Sequence, residues 1–268
     1  MQALLVPDLA AEAYDGLAPA YDAFTAGHEY ARWLDYLEGL AIEHGLPGRA
    51  LLDVGCGTGK SFLPMLEKCY DVVACDLSPE MAARARAKIP PDRAQVLVAD
   101  MRDLPELGAF DLVTCLDDAI NYATSRLELR STLDGFARNL RPGGIAVFDT
   151  NSLSTYRTVL AGTNAIDSEG DFFCIRGEAA REFEPGSLAS VWIEAFTERP
   201  DGLWERSRTR HLQRHHPRAD VEWALREAGL ELVAVRGQSV GAHMHVVPDE
   251  DRHTKIVYMA RKPRGAGG

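Results

Sequence analysis

Apolar and polar positions along this chain change period several times, and each change marks an element. Tyr30, Trp33, Leu34, Leu37, Leu40 and Ala41 recur at helical spacing and predict a helix with one buried face. Just before it, residues 13–25 mix aromatic side chains with helix breakers. From position 51 the pattern becomes one of short continuous apolar runs separated by helical stretches. Runs at 51–54, 71–75, 95–99, 110–116 and 145–149 predict strands buried on both faces, with helices over 61–68, after Ser78-Pro79, and over 126–139. Ser78 supplies an N-cap and Pro79 a first helical position, while Arg141-Pro142-Gly143-Gly144 stops the helix before it. Strands alternating with helices predict a doubly wound α/β sheet.

Between 151 and 216 the period falls to two. Residues 171–177, 188–199 and 203–215 alternate polar with apolar, and Glu184-Pro185-Gly186 and Pro200-Asp201-Gly202 are turn signals. This predicts an antiparallel meander inserted after the fifth strand, with Arg206, Arg208 and Arg210 on an exposed face. A helical pattern resumes at 221–228, Gly229 ends it, and 231–235 and 254–260 predict the closing strands, followed by a frayed tail over 261–268. Four regions result: 1–45, a lid and helix; 46–150, a core; 151–216, an inserted sheet; and 217–268, the rest of the core.

Composition narrows the function more than the fold. A hydrophobic fraction of 46% over 268 residues supports a sizeable core. The formal charge of −11 argues against a polyanionic partner, so no nucleic acid is expected. Cys56, Cys69, Cys75, Cys115 and Cys174 are odd in number and show no C-x-x-C spacing, which reads as reduced, buried thiols and not as a zinc or iron–sulfur site. The first seven residues carry no charged leader, and no apolar segment reaches 18 residues. A soluble cytoplasmic protein with no membrane partner is expected.

The stretch Leu51-Leu52-Asp53-Val54-Gly55-Cys56-Gly57-Thr58-Gly59 carries the chemistry. Glycines at alternate positions after a buried strand leave backbone open to a ligand at the tip of a sheet. A phosphate-binding P-loop fails, because counting back from Gly59-Lys60-Ser61 puts Val54 where the first glycine belongs. The dinucleotide fingerprint matches at Gly55 and Gly57 but has Lys60 as its third glycine. Further on, two more strands end in acids, Asp76 and Asp100. Asp76 lies 21 residues past Gly55, the distance at which a carboxylate meets ribose hydroxyls in a βαβ unit.

Acidic-x-Gly-x-Gly-x-Gly, with these later acids, resembles motif I of the class I S-adenosylmethionine-dependent methyltransferases. The resemblance covers 51–150 and, more loosely, the final helix and strands. It implies a Rossmann-like seven-stranded sheet, its last strand antiparallel, with an N-terminal helical lid and the inserted antiparallel β-sheet over the strand ends. It also implies S-adenosyl-L-methionine as cofactor, bound by Tyr21, Asp53, Gly55, Gly57, Asp76, Leu77, Met81, Asp100, Met101 and Leu116. In this family Asp100 and Met101 would flank the adenine. The Tyr14–Phe24 segment would be the lid, as in enzymes that methylate small metabolites, including aminosugar and natural-product N-methyltransferases.

The acceptor is then a small molecule with a nucleophilic nitrogen or oxygen, or an activated carbon. The fourth strand ends in Asp117-Asp118-Ala119-Ile120-Asn121-Tyr122, without the strings used to flip or attack a nucleic-acid base. Candidate catalytic residues are Tyr14 and Tyr21, whose faces can stabilise a sulfonium and whose hydroxyls can orient an amine. Asn121 joins them at the strand end. As bases, His243 and His245 rank above His211, His215 and His216, because a loop after a parallel strand opens on the active edge. No carboxylate motif accompanies either histidine group, so no metal is expected. An inserted sheet often gives a dimer surface, which leaves a homo-oligomer open. Two other readings remain: an S-adenosylmethionine-binding protein with a regulatory or non-methyl-transfer role, and an NAD-dependent oxidoreductase.

Overall fold

The computed structural model describes residues 9–90, 92–168 and 170–264. The leader reading of the first seven residues and the end of the tail lie outside these. Helix α1 (Leu9–Leu17), a short 3-10 turn and α2 (Tyr21–Phe24) precede α3 (Tyr30–Glu43), which buries Trp33, Leu34, Leu37, Leu40 and Ala41 as their spacing predicts. The core then runs β1 (Ala50–Val54), α4 (Leu63–Glu67), β2 (Asp71–Asp76), α5 (Pro79–Ala87), β3 (Ala94–Val98), β4 (Phe110–Cys115), α6 (Arg126–Asn139) and β5 (Leu140–Asn151). After α7 (Leu153–Arg157) come β6 (Thr163–Ser168), β7 (Asp171–Gly177), β8 (Leu188–Glu198) and β9 (Trp204–Arg214). Helix α8 (Arg218–Glu227), β10 (Glu231–Ser239), β11 (His243–His245) and β12 (Lys255–Arg261) complete the chain.

The main sheet has the order β11-β10-β12-β5-β4-β1-β2-β3, and β12 runs antiparallel to both of its neighbours. That is the expected doubly wound sheet with an antiparallel last strand, widened at one edge by β11. Residues 241–245, expected as a loop, instead fold back as a hairpin on β10, pairing Gly237 with His245 and Ser239 with His243. The inserted sheet is separate, ordered β6-β7-β8-β9; β6 is the strand that alternation did not predict.

Period-two geometry distributes the core. Leu51 and Leu52 are adjacent in β1 and both fully buried, yet they enter opposite layers, Leu51 the one that also holds Phe62, Met65 and Met259, Leu52 the one that also holds Val113, Phe136 and Tyr258. Each contributes roughly 1.5–3 kcal/mol of burial. A third cluster joins Leu17 of α1 to Tyr156, Phe173, Val191 and Ile193 and seats the inserted sheet on the N-terminal helices. Gly16 permits that seating, because a Cβ there would come 2.7 Å from Cγ2 of Thr209 in β9. Cys56, Cys75 and Cys115 are buried as expected, whereas Cys69 is exposed in the turn after α4 and Cys174 is half-buried on β7. All five are free thiols.

Candidate active site

The C-terminal ends of β1, β2, β3 and β4 meet in one cleft. At the end of β1, Gly55 and Gly57 adopt φ of 70° and 53°, and the Gly55 and Cys56 amides donate to the Cys75 carbonyl at 2.8 and 3.0 Å. The loop is thereby tied to β2. Asp76, the last residue of β2, accepts from the Gly57 and Ser78 amides at 2.7 and 2.9 Å, so one carboxylate sets both the glycine loop and the start of α5. Leu77 and Leu116 line the cleft beside it, and Asp100 and Met101 line its far side. Arg102 holds the Asp100 carboxylate at 2.7–3.1 Å. Tyr21 covers the loop: a Cβ on Gly57 would sit 3.5 Å from its ring. This is a cradle that any side chain would fill, with acidic acceptors at two strand ends and aromatic faces above, and it fits a ribose, an adenine and a cationic sulfur.

The lid is clamped on this cleft by charge. Thr58 Oγ1 donates to Asp22 Oδ1 at 2.5 Å, Lys88 pairs with Asp22 Oδ2 at 2.6 Å, and Lys60 Nζ donates to the Asp22 carbonyl and to Thr25 Oγ1. Asp15 receives the Ser78 hydroxyl and the Glu80 amide. The lid therefore shares its anchors with the glycine loop and the N-terminus of α5.

Five residues expected at the site lie elsewhere. Asp53 is buried behind the loop, accepting from Ser61 Oγ and from Thr114 Oγ1 at 2.6 Å, and holds the loop's frame without lining the cleft. Met81 is buried in α5, its amide given to the Ser78 cap. Asn121 is fully buried as a tie between sheets: Nδ2 donates to the Arg214 carbonyl and to Tyr156 Oη, and Oδ1 accepts from the Asn151 amide. His243 and His245 sit on β11 at the sheet edge, outside the cleft. His243 Nδ1 faces Arg32, and His245 contacts Ser239 and stacks on His253 at 4.4 Å. The ranking of histidines reverses because β10 continues past its expected end and the hairpin carries the pair away.

Past the lid lies a second cleft, roofed by the inserted sheet, that shares Tyr14, Tyr21, Asp117 and Tyr122 with the first. In this shared wall Tyr14 Oη donates to Tyr122 Oη at 3.0 Å, and Tyr122 Oη lies 2.9 Å from His211 Nδ1. His211 Nε2 lies 3.0 Å from Thr209 Oγ1. Burial pushes His211 down to about 4 and raises both tyrosines well above their ordinary values, so the ring is neutral and the hydroxyls keep their protons. With Tyr14 donating to Tyr122, the Tyr122 proton points to Nδ1 and the Nε2 proton to Thr209.

Below this wall, Asp117 and Asp118 are consecutive left-handed residues with φ of 60° and 56°. Their amides both donate to Asp149, at 2.7 and 2.9 Å. Lys255 Nζ reaches Asp117, Asp118 and Asp149 at 2.6, 3.0 and 3.0 Å. Tyr30 and His28 add bonds to Asp117 at 2.7 and 2.9 Å. Burial alone would raise Asp117, but Lys255 and His28 outweigh it and hold the carboxyl well below the usual range. Sequence reasoning missed Asp117, Asp118, Tyr122 and Lys255. Two acids at a fourth strand end were a visible signal for the first pair; nothing local marks Lys255.

Three other acids move the opposite way. Asp53, Asp76 and Asp149 are each pushed up to about 6, chiefly by burial. A carboxyl whose folded pKa is raised adds stability below its unfolded pKa of about 3.9 and loses it as pH rises through the folded value. These acids therefore favour the folded state less as pH rises from about 4 to about 6, while buried, neutral His211 and His216 favour it more over an overlapping range, so the readout is a difference: Asp53→Asn is expected to make the thermal midpoint fall less, or rise more, with pH than the parent's does. Parallel pH profiles for variant and parent would contradict the assignment of Asp53.

Comparison with known proteins agrees with this geometry. The family model described as a methyltransferase domain matches residues 51–144. The dTDP-3-amino-3,6-dideoxy-alpha-D-glucopyranose N,N-dimethyltransferase of Streptomyces fradiae is 29% identical over 240 residues, 85% of this chain and 89% of that protein. The crystal structure of an S-adenosylmethionine-dependent methyltransferase from Clostridium acetobutylicum superposes with a TM-score of 0.76 at 25% identity, covering 93% of this chain and 99% of that one. The sugar N-methyltransferase KedS8 from Streptoalloteichus gives 0.68 at 27%, covering 89% and 91%. Among the described residues, no helix is long and apolar enough to cross a membrane.

Proposed function

Starting from a chain that is an S-adenosylmethionine-dependent methyltransferase, we propose that it methylates a nitrogen of a small amphipathic metabolite bound beneath the inserted sheet, in natural-product metabolism. The observation that carries this reading is the shared wall: Tyr14, Tyr21, Tyr122 and Asp117 border both the cofactor-type cleft and the second one. In this reading Asp76 accepts from the ribose hydroxyls, Asp100 and Met101 meet the adenine, and Gly55, Gly57 and Tyr21 hold the amino-acid end. Leu77 and Leu116 give apolar flanks, and residues 151–216 form the substrate cover. When bound, S-adenosyl-L-methionine supplies an activated methyl group on a cationic sulfur.

What the chain's own residues do is align and exclude water. With the neutral imidazole accepting at Nδ1, the relay runs from Tyr14 through Tyr122 to His211, Tyr122 donating to the ring and Tyr14 to Tyr122. The Tyr14 oxygen is then left with lone pairs for an N–H of the acceptor, which turns the nitrogen lone pair toward the shared wall and the cofactor-type cleft behind it. Nitrogen is favoured over oxygen because His211, near 4, is a weak base, whereas a hydroxyl nucleophile needs a strong one. The names of the sugar N-methyltransferase relatives support the same choice.

Release of S-adenosylhomocysteine in the presence of a panel of primary amines tests the reading. Tyr14→Phe and His211→Phe, each of which breaks a hydrogen bond at Tyr122 among its losses, are each expected to lower kcat about 10-fold, ~1.4 kcal/mol, with the KM for the cofactor unchanged. His211→Gln, which keeps an acceptor, should lose less. Cofactor binding without turnover on any amine would favour a regulatory binding protein instead.

A further inference from the structure

We infer that the acceptor enters the second cleft as a cation: an amphipathic amine with an apolar body and no phosphate. The inference rests on the methyl-transfer reading and adds to it the charge and shape of what is methylated. The ionisable groups lining this cleft, apart from its tyrosines, are Asp117, Asp118, His28 and His211; no lysine or arginine lines it among the described residues. His211 is buried and neutral, and His28 is already bonded to Asp117. The nearby ammonium, Lys255, is fully committed, with three carboxylates within 3.0 Å. Three carboxylates around one ammonium leave the cluster with excess negative charge beside the floor of the cleft.

That charge is fixed in place. Asp118 gives Oδ1 to Lys255 and Oδ2 to Gln213 Nε2 at 2.6 Å, and Gln213 Oε1 is itself held by Asn151 Nδ2 at 3.1 Å. The left-handed backbone of Asp117 and Asp118 is locked by the two amides on Asp149, so the carboxylates cannot withdraw when a ligand arrives. The opposite wall is apolar: Leu17, Leu160, Ile166, Ile175, Val191 and Ile193. A ligand that satisfies both walls puts a hydrogen-bonding cation at the floor and an apolar face on the sheet. A nucleotide-linked sugar brings a diphosphate that this cleft has no free cation to receive, and like charges there are repelled in a partly desolvated setting. The ammonium is the form that binds. The neutral amine, one proton lighter, is the form that attacks, and that proton goes to bulk water.

The test is calorimetry on the full chain saturated with S-adenosylhomocysteine, using three probes: 2-phenylethylamine, its neutral isostere 2-phenylethanol, and dTDP-3-amino-3,6-dideoxy-alpha-D-glucopyranose. The amine is expected to bind at least 10-fold more tightly than either of the others. Asp118→Asn should weaken the amine about 10-fold and leave S-adenosylhomocysteine affinity unchanged. Ile175→Lys, which places a cation in the apolar wall, should weaken the amine and strengthen the sugar nucleotide. Equal binding of the alcohol, tighter binding of the sugar nucleotide, or no binding of the amine at millimolar concentration overturns the inference. Failure of S-adenosylhomocysteine to bind in the first step would instead indict the methyl-transfer reading itself.

Discussion

Asp76→Ala is expected to weaken S-adenosylhomocysteine binding about 100-fold. In the proposed reading this carboxylate accepts from two ribose hydroxyls, and hydrogen bonds to charged groups contribute roughly 1.5–3 kcal/mol each, so about 3 kcal/mol is lost in all. The same side chain holds the Gly57 and Ser78 amides at 2.7 and 2.9 Å, and its removal frees the glycine loop as well. Asp76→Asn keeps an acceptor oxygen in place and should lose only about a tenth as much affinity as alanine costs. Calorimetric titration of the three proteins decides it. An alanine variant within threefold of the parent would mean that the acid serves the loop alone, and binding of NAD in its stead would return the oxidoreductase reading.

Lys255→Met should be the most destabilising of the substitutions considered. It removes the single cation that Asp117, Asp118 and Asp149 share, and breaking a buried pair from one side costs about 3–5 kcal/mol because charge is left uncompensated. For a chain of this size that is a fall of about 10 °C in Tm. The pH dependence carries a sign. Asp149 is already raised to about 6 with Lys255 present, and the variant raises it further. The part of the deficit that belongs to Asp149 is therefore full at high pH and shrinks as pH falls from the variant's raised value toward about 6, below which Asp149 is protonated in parent and variant alike. Adding Asp118→Asn should recover part of the loss. A fall under 2 °C at pH 7.5 would show that the three carboxylates do not depend on this ammonium.

Much of the fold was legible because it is written in local period. Continuous apolar runs locate β1 to β5, the Ser78-Pro79 pair locates α5, and alternation locates β7, β8 and β9. Strand β6 escaped because four of its six side chains are exposed, which leaves no alternation to read. Strand β11 escaped because three residues are too short for any period. The cofactor-type cleft was nearly as legible. Gly55, Gly57, Asp76, Leu77, Asp100, Met101 and Leu116 all line it, since each sits at or just beyond a strand end and parallel strands deliver their ends to one edge. Asp53 and Met81 misled because position along a motif says nothing about which way a side chain is turned. Asp53 turned to Ser61 and Thr114, and Met81 turned into the core.

By itself the sequence determined the doubly wound sheet, the glycine loop, the acids at its strand ends and the presence of an inserted sheet, because each depends on neighbours a few positions apart. Only the tertiary structure decided the chemistry of the second cleft. Tyr14 meets Tyr122 across 108 positions, Tyr122 meets His211 across 89, and Lys255 meets Asp117 across 138. Such pairings are set by how α1 seats on β9 and how β12 returns beside β5. They follow from packing between whole elements, and that packing moved the histidine of interest from the edge of one sheet to the underside of the other.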